Sequence, residues 1–146
     1  MKTFQLSSKD IVRNWHLVDV KGKTLGRIST HIAKLLMGKN KVIYTDHLDV
    51  GDFVVIVNAS KVEITGNKRK NKTYKSHSGY PGGFKEVSFE KMIKEAPQKV
   101  IMHAVSGMLP DNRLKAKRLA RMKVFEGESH PYKDRFKEEK KDNKEN

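Results

Sequence analysis

The feature that most constrains the fold of this chain is an uninterrupted apolar run, Phe53-Val54-Val55-Ile56-Val57, which ends at Asn58. Its residues do not alternate with polar ones, so neither face of the segment is suited to water. Such a run is typical of a strand that is buried on both faces, as in a parallel sheet. A parallel neighbour requires a crossover connection, and the preceding residues supply one.

That connection is predicted to be a helix over residues 24–38. Its apolar residues fall on one helical face, and they are Leu25, Ile28, Ile32, Leu35 and Leu36. Thr24 stands at the expected start and Gly38 at the expected end. Before it, residues 15–20 resemble a strand and 21–23 a turn. Strand, helix and strand in this order predict a βαβ unit.

Shorter elements are predicted downstream. They are a strand over 61–65, a basic loop over 65–83, a helix from Ser88 to Pro97, a helix over 100–109, a basic helix over 113–123 and a short strand at 124–125. Residues 1–125 are thus expected to form one α/β domain. Residues 126–146 are highly charged and have few apolar side chains, so this tail is expected to be disordered without a partner.

The charge distribution predicts binding to a polyanion. The chain has 31 Lys and Arg against 17 Asp and Glu, a net charge of +14, with a pI near 9.9. The excess is concentrated in residues 65–123, which hold 15 basic and 4 acidic side chains. A surface that serves only solubility mixes both signs, whereas a one-sided field attracts nucleic acid or an anionic membrane.

RNA is the favoured polyanion because of the residues between 65 and 83. This stretch has no carboxylate, and its cations are Lys68, Arg69, Lys70, Lys72 and Lys75. Neutralising phosphates with these residues gives a salt-sensitive affinity. Aromatic rings at 74, 77 and 80 can stack on unpaired bases, and Gly79, Gly82 and Gly83 allow a close backbone approach. On a helix, Arg113, Lys117 and Arg121 would line one face.

Other functions find weaker support. Gly22-Lys23-Thr24 stands where a P-loop would end, but the required earlier glycine is Leu17. The segment TDHLDVGD at 45–52 offers metal-ligand types at spacings that match no known motif. The chain has no cysteine, which excludes thiolate zinc sites and cysteine nucleophiles. An RNA-modifying or nucleotide-using enzyme and an anionic-membrane binder remain the alternatives, and no cofactor, metal or small-molecule substrate is expected.

Several stretches together resemble the bacterial large-subunit ribosomal protein L-thirteen family. They recur in order over residues 15–125: W-H-L-V-D-V (15–20), T-L-G-R-I-S-T-H-I-A (24–33), G-K-N-K (38–41), G-D-F-V-V-I-V-N-A (51–59), V-E-I-T-G-N-K (62–68), Y-K-S-H-S-G-Y-P-G-G (74–83) and A-V-S-G-M-L-P (104–110). The sequence departs from the family at Ser106, where a basic residue is usual, and at Leu114-Lys115-Ala116, where the family has Leu-Gly-Arg.

The resemblance implies a three-layer α/β/α fold with a mostly parallel sheet, long basic loops and a flexible tail. It implies a cytoplasmic, non-enzymatic protein that binds large-subunit (23S-type) rRNA, neighbours other large-subunit proteins and joins early in assembly. RNA contacts are implied at Lys68, His77, Tyr80, Gly82 and Gly83, and also at Arg27, Lys39 and Lys41. Lys115, Lys117 and Arg118 are expected to replace the missing arginine.

Overall fold

A computed structural model describes residues 6–136 of the protein. At the centre of the fold is a three-stranded parallel sheet. The strands are β1 (Trp15–Asp19), β2 (Phe53–Val57) and β5 (Met122–Val124), with β2 in the middle. Trp15 pairs with Phe53, and Val54 pairs with Met122. The interior of β2 has no exposed surface, so the prediction of a parallel strand buried on both faces is confirmed.

Helix α1 (Leu25–Met37) connects β1 to β2, as the apolar periodicity predicted. All five residues of its predicted apolar face are buried. Thr24 stands at the N-cap without a side-chain capping bond, and Gly38 ends the helix in the left-handed conformation at φ 78°. The Gly38 N–H donates to carbonyls of the last helical turn, a common way to end a helix.

The remaining strands form a hairpin, and further α-helices precede and follow it. They are α2 (Lys68–Asn71), β3 (Thr73–His77), β4 (Phe84–Ser88), α3 (Phe89–Glu95), α4 (Pro97–Met108) and α5 (Lys115–Ala120). Strands β3 and β4 pair antiparallel, away from the central sheet. Helix α4 packs on α1 and buries Val100, Ile101 and Val105 in the main core. None of the helices within residues 6–136 is long and apolar enough to cross a membrane.

Three predicted elements are wrong. Residues 61–65 contribute one isolated bridge, Glu63 to Thr24, rather than a strand. The stretch 65–83 is not one loop, because it contains α2 and β3, which is anchored by the partly buried ring of Tyr74. The basic helix is confined to α5, since Arg121 ends it as the C-cap residue and β5 follows at once.

Residues after β5 pack on the aromatic ends of β1 and β2. The Trp15 ring stacks on Phe53 at 4.4 Å between centroids and on Tyr132 at 5.2 Å, and Phe136 meets Trp15 edge-on. The domain's contacts therefore continue beyond residue 125, up to residue 136. Residues 137–146 of the predicted tail lie outside the described residues, and its disorder away from a partner stays a prediction, as does the three-layer arrangement.

Candidate nucleic-acid interface

The β3–β4 hairpin presents most of the predicted loop residues to solvent. All ten of its strand positions pair across the hairpin through five register pairs, including Lys75 with Glu86 and His77 with Phe84. Only Tyr74 and Val87 are partly buried. Burial raises the pKa of the Tyr74 hydroxyl, and its ring lies 5.4 Å from that of His103 on α4. The hairpin is thus attached at one end and exposed along the rest.

The hairpin tip, residues 78–83, is held by its own hydrogen bonds. The Gly83 N–H donates to the Tyr80 carbonyl at 2.9 Å, and the Ser78 N–H donates to the Gly83 carbonyl at 3.2 Å. Gly82 adopts φ 73°, and a side chain on Gly83 would meet the Ser78 hydroxyl at 2.0 Å. Glycine is needed at both positions to form this turn, which leaves Tyr80 three-quarters exposed.

Cations from two distant parts of the sequence line one groove of about 470 Å³. Arg27 comes from the first turn of α1, while Lys68 is the first residue of α2 and Lys72 is its C-cap. Its apolar lining includes Ile64 and Met108. We call this the Arg27 groove. No acidic residue lies in the first turn of α1, so the positive end of the helix dipole adds to these cations. The arrangement suits a phosphate group.

The other predicted cations differ in their exposure and in whether an acidic side chain of the protein lies close to them. Lys39, Arg69, Lys70, Arg113 and Lys117 are exposed, although Arg69 lies 3.9 Å from Glu90. Lys75 likewise lies 3.9 Å from Glu86. Lys115 is partly buried and bonded to Asp111. Exposed pairs of this kind are weak and exchange readily for other anions.

Arg118 and Arg121 face the interior. Their residues are 1% and 7% exposed, and both approach the carboxylate of Asp49. The Arg121 guanidinium donates to both Asp49 oxygens and, at 3.0 Å, to the Leu36 carbonyl at the end of α1. The expected row of Arg113, Lys117 and Arg121 on one exposed helical face is therefore wrong. RNA contacts by Arg118 and Arg121 stay predictions. Neither residue lies on the exposed surface of the protein.

Lys41 is also occupied within the protein. Its ammonium group lies 2.5 Å from the carboxylate of Asp52 and donates to the carbonyls of Val12 and Val50. Burial would raise the pKa of Asp52, but hydrogen bonds from His16, Lys41 and the Asn14 N–H outweigh it and hold that pKa below its usual value. Asp49 and Asp52, considered above as metal ligands, thus bind the chain's own cations.

Two exposed residues of the hairpin were missed by the sequence analysis. Phe84 is 56% exposed and pairs with His77, and the exposed Lys85 pairs with Ser76. The signal available was the Pro81-Gly82-Gly83 turn directly before Phe84, since a Pro-Gly-Gly sequence is typical of a chain reversal. That pattern places residue 84 at the start of the second strand, beside the tip.

Comparisons with known proteins identify the family. The sequence profile of a family described as "Ribosomal protein L13" matches residues 13–131. This chain belongs to the ribosomal protein L13 family. The large ribosomal subunit protein uL13 of Francisella tularensis subsp. novicida is 54% identical over 132 residues, covering 90% of this chain and 93% of that protein. The same protein of Thermoanaerobacter sp. (strain X514) is 48% identical, with 90% and 92% covered.

Membership of the L13 family confirms the recognition made from the sequence stretches. L13 proteins are structural and non-enzymatic, so the enzyme alternative is wrong. The uL13 protein of Teredinibacter turnerae, 49% identical with 90% of this chain covered, agrees with this assignment. The matched region ends at residue 131, within the segment that packs beside Trp15.

Proposed function

We propose that this L13-family chain is a structural protein of the large ribosomal subunit that binds 23S-type rRNA. The observation that carries the proposal is the gathering of exposed cations around the Arg27 groove. Arg27, Lys68 and Lys72 line it, and Arg69, Lys70 and Lys75 lie on α2 and β3. In this role the protein is part of the cytoplasmic ribosome, with neighbouring large-subunit proteins as further partners. It requires neither a cofactor nor a small-molecule substrate.

The mechanism is electrostatic attachment followed by insertion of the hairpin. The exposed cations replace the counterions of the RNA backbone, so affinity falls steeply as salt rises. The proposed contacts from exposed and partly exposed residues are Arg27, Lys39, Lys68, Arg69, Lys70, Lys72, Lys75, His77, Tyr80, Gly82, Gly83, Arg113, Lys115 and Lys117. Holding distant RNA segments on one rigid domain is how the chain supports early subunit assembly.

Sedimentation of the tagged protein in a lysate tests this function. On a sucrose gradient, the wild-type protein is expected to travel with the large subunit and to remain there after a moderate salt wash. A protein that stays in the light fractions would contradict the ribosomal assignment. A matched pair of variants sharpens the test: Lys68→Ala with Lys72→Ala should dissociate at lower salt, whereas Lys91→Ala with Lys94→Ala on α3 should not.

A further inference from the structure

We propose that His77 and Phe84 form a stacking platform for one unpaired RNA base. The inference rests on the proposed rRNA-binding function and adds a named subsite to it. Phe84 lies in none of the stretches that carry the family resemblance. The ligand is identified by its chemistry, because every nucleobase offers a flat π surface to an aromatic ring.

The two residues lie directly opposite each other at the end of the hairpin. The adjacent Ser78 N–H donates to the Gly83 carbonyl, so residues 77 and 84 form the next, non-hydrogen-bonded pair. Side chains approach most closely at such pairs, where Cα atoms are about 4.5 Å apart. Both residues are exposed, Phe84 to 56%. Two ring-bearing side chains thus start from paired positions at the end of the hairpin, and both are exposed to solvent.

The platform faces away from the body of the protein. Side chains alternate across a strand, and Tyr74 points toward α4, where its ring lies near His103. His77 is three residues further along β3 and so lies on the opposite face, together with Lys75. Phe84 shares that face through its pairing with His77. A base can therefore approach both rings without meeting another element.

The imidazole of His77 is oriented by the turn that follows it. The Gly79 N–H donates to His77 Nδ1 at 2.9 Å. With Nδ1 accepting, a neutral imidazole carries its proton on Nε2, which is left as an outward donor for a base or phosphate oxygen. The positive φ of Gly79, 85°, permits this turn. Orientation of the ring before binding reduces the entropy lost when a base stacks on it.

A single exposed phenylalanine is common in proteins and by itself has no function. Here the exposed ring belongs to an eight-residue region, 77–84, that also carries His77 and Tyr80, and it adjoins Lys75, which can bind the phosphate of the same nucleotide. Rings interleaved with cations are the arrangement found where proteins bind single-stranded nucleic acid. The surroundings of Phe84 therefore favour a base over a protein partner.

The test measures binding of purified full-length protein to 23S-type rRNA transcribed in vitro, at several salt concentrations with excess tRNA as competitor. Phe84→Leu keeps apolar bulk but removes the π surface, and Phe84→Trp keeps a larger one. Val12→Ala removes an exposed apolar side chain outside the hairpin and serves as the matched control. Far-UV circular dichroism and thermal unfolding establish that all four proteins are folded.

We expect Phe84→Leu to weaken binding about 10-fold, while Phe84→Trp and Val12→Ala stay close to wild type. The salt dependence should be unchanged in Phe84→Leu, since stacking releases no counterions. Wild-type affinity in Phe84→Leu, or a reduced salt slope, would overturn the platform while leaving rRNA binding intact. If the wild-type protein itself does not bind the transcript, the proposed function fails and the platform fails with it.

Discussion

Arg121 links the end of α1 to the loop before β2, because its guanidinium bonds both carboxylate oxygens of Asp49 and the carbonyl of Leu36. Asp49 precedes Arg121 by 72 residues. The same carboxylate lies 3.7 Å from Arg118 and 3.8 Å from Arg13. One partly buried acid therefore neutralises cations from both ends of the domain.

Replacing Asp49 by Asn should destabilise the protein by about 3 kcal/mol, because two buried arginines would lose their counter-charge. The measurement is the free energy of unfolding from urea titration. Asp111→Asn is the matched control, since it also removes a carboxylate bonded to a basic side chain, but on the surface. It should leave the free energy of unfolding nearly unchanged. Equal effects of the two variants would refute the special position of Asp49.

Gly51 should not tolerate a side chain. A Cβ atom there would lie 1.7 Å from the carbonyl oxygen of Leu36 and 2.5 Å from its carbon, both of which are backbone atoms. Gly51→Ala therefore has to move α1 away from the loop, and we expect a loss of about 3 kcal/mol or a failure to fold. Thermal unfolding would measure it.

Gly107→Ala is the control for this prediction. Nothing lies within 4 Å of the position of its added Cβ, and the residue is helical. Alanine favours a helix over glycine, so the variant should unfold at the same or a higher temperature, with a gain of up to about 1 kcal/mol. A Gly51→Ala protein as stable as Gly107→Ala would show that the close approach to Leu36 is unimportant.

The central elements could be predicted from local pattern, whereas the buried charges could not. The apolar run of β2 and the periodicity of α1 depend on neighbours in sequence, and both were found where expected. Charge counting treats every arginine as a surface group. Such counting cannot predict the ion pair between Arg121 and Asp49, because no sequence pattern near either residue indicates the other.

For the candidate interface, too, the local charge pattern could be found in the sequence, whereas the tertiary contacts of its cations could not. The absence of carboxylates from 65–83 directed the prediction of RNA contacts to this stretch. Strand β3 has five residues, of which only Tyr74 is partly buried, so the sequence pattern predicted a loop there. Lys41 was assigned to RNA through the resemblance, while its burial beside Asp52 follows from tertiary packing. Grouping Arg27 with Lys68 in one groove likewise required the packing of α2 near the start of α1.

Acid should weaken the fold through Asp52. Its pKa is held below the ordinary value of 3.8, so the carboxylate stabilises the fold above that pH and loses this contribution as pH falls through its folded-state pKa. Asp52→Asn should be less stable than wild type at pH 7, and the difference should shrink below about pH 4. Urea unfolding from pH 7 to 2 measures both proteins, and a difference independent of pH would refute the role of Asp52.

The packing of residues after β5 can be followed through Trp15, the only tryptophan in the chain. Tyr132→Ala removes the ring stacked on Trp15 and should admit water to the indole, shifting its emission to longer wavelength. The lost ring contact should also lower the free energy of unfolding by about 1 kcal/mol. Lys133→Ala, an exposed neighbour, is the control and should retain the wild-type spectrum. Identical emission in both variants would mean that Tyr132 does not cover Trp15 in solution.

Salt dependence distinguishes the Arg27 groove from the general positive field of the protein. Replacing Arg27, Lys68 and Lys72 by alanine removes three phosphate ligands, and each should reduce the slope of log affinity against log salt by about 1. Replacing Lys91, Lys94 and Lys99 removes the same net charge from exposed positions outside the predicted contacts.

We expect that second triple variant to keep the wild-type slope within experimental error and to lose little affinity for 23S-type rRNA, because its lysines release no counterions on binding. Filter binding between low and moderate salt measures both variants against wild type. Equal reductions in the salt slope of the two variants would show that the affinity depends on net charge alone. A reduction confined to the first variant would place RNA phosphates at the groove, since counterion release requires direct neutralisation of phosphate charge.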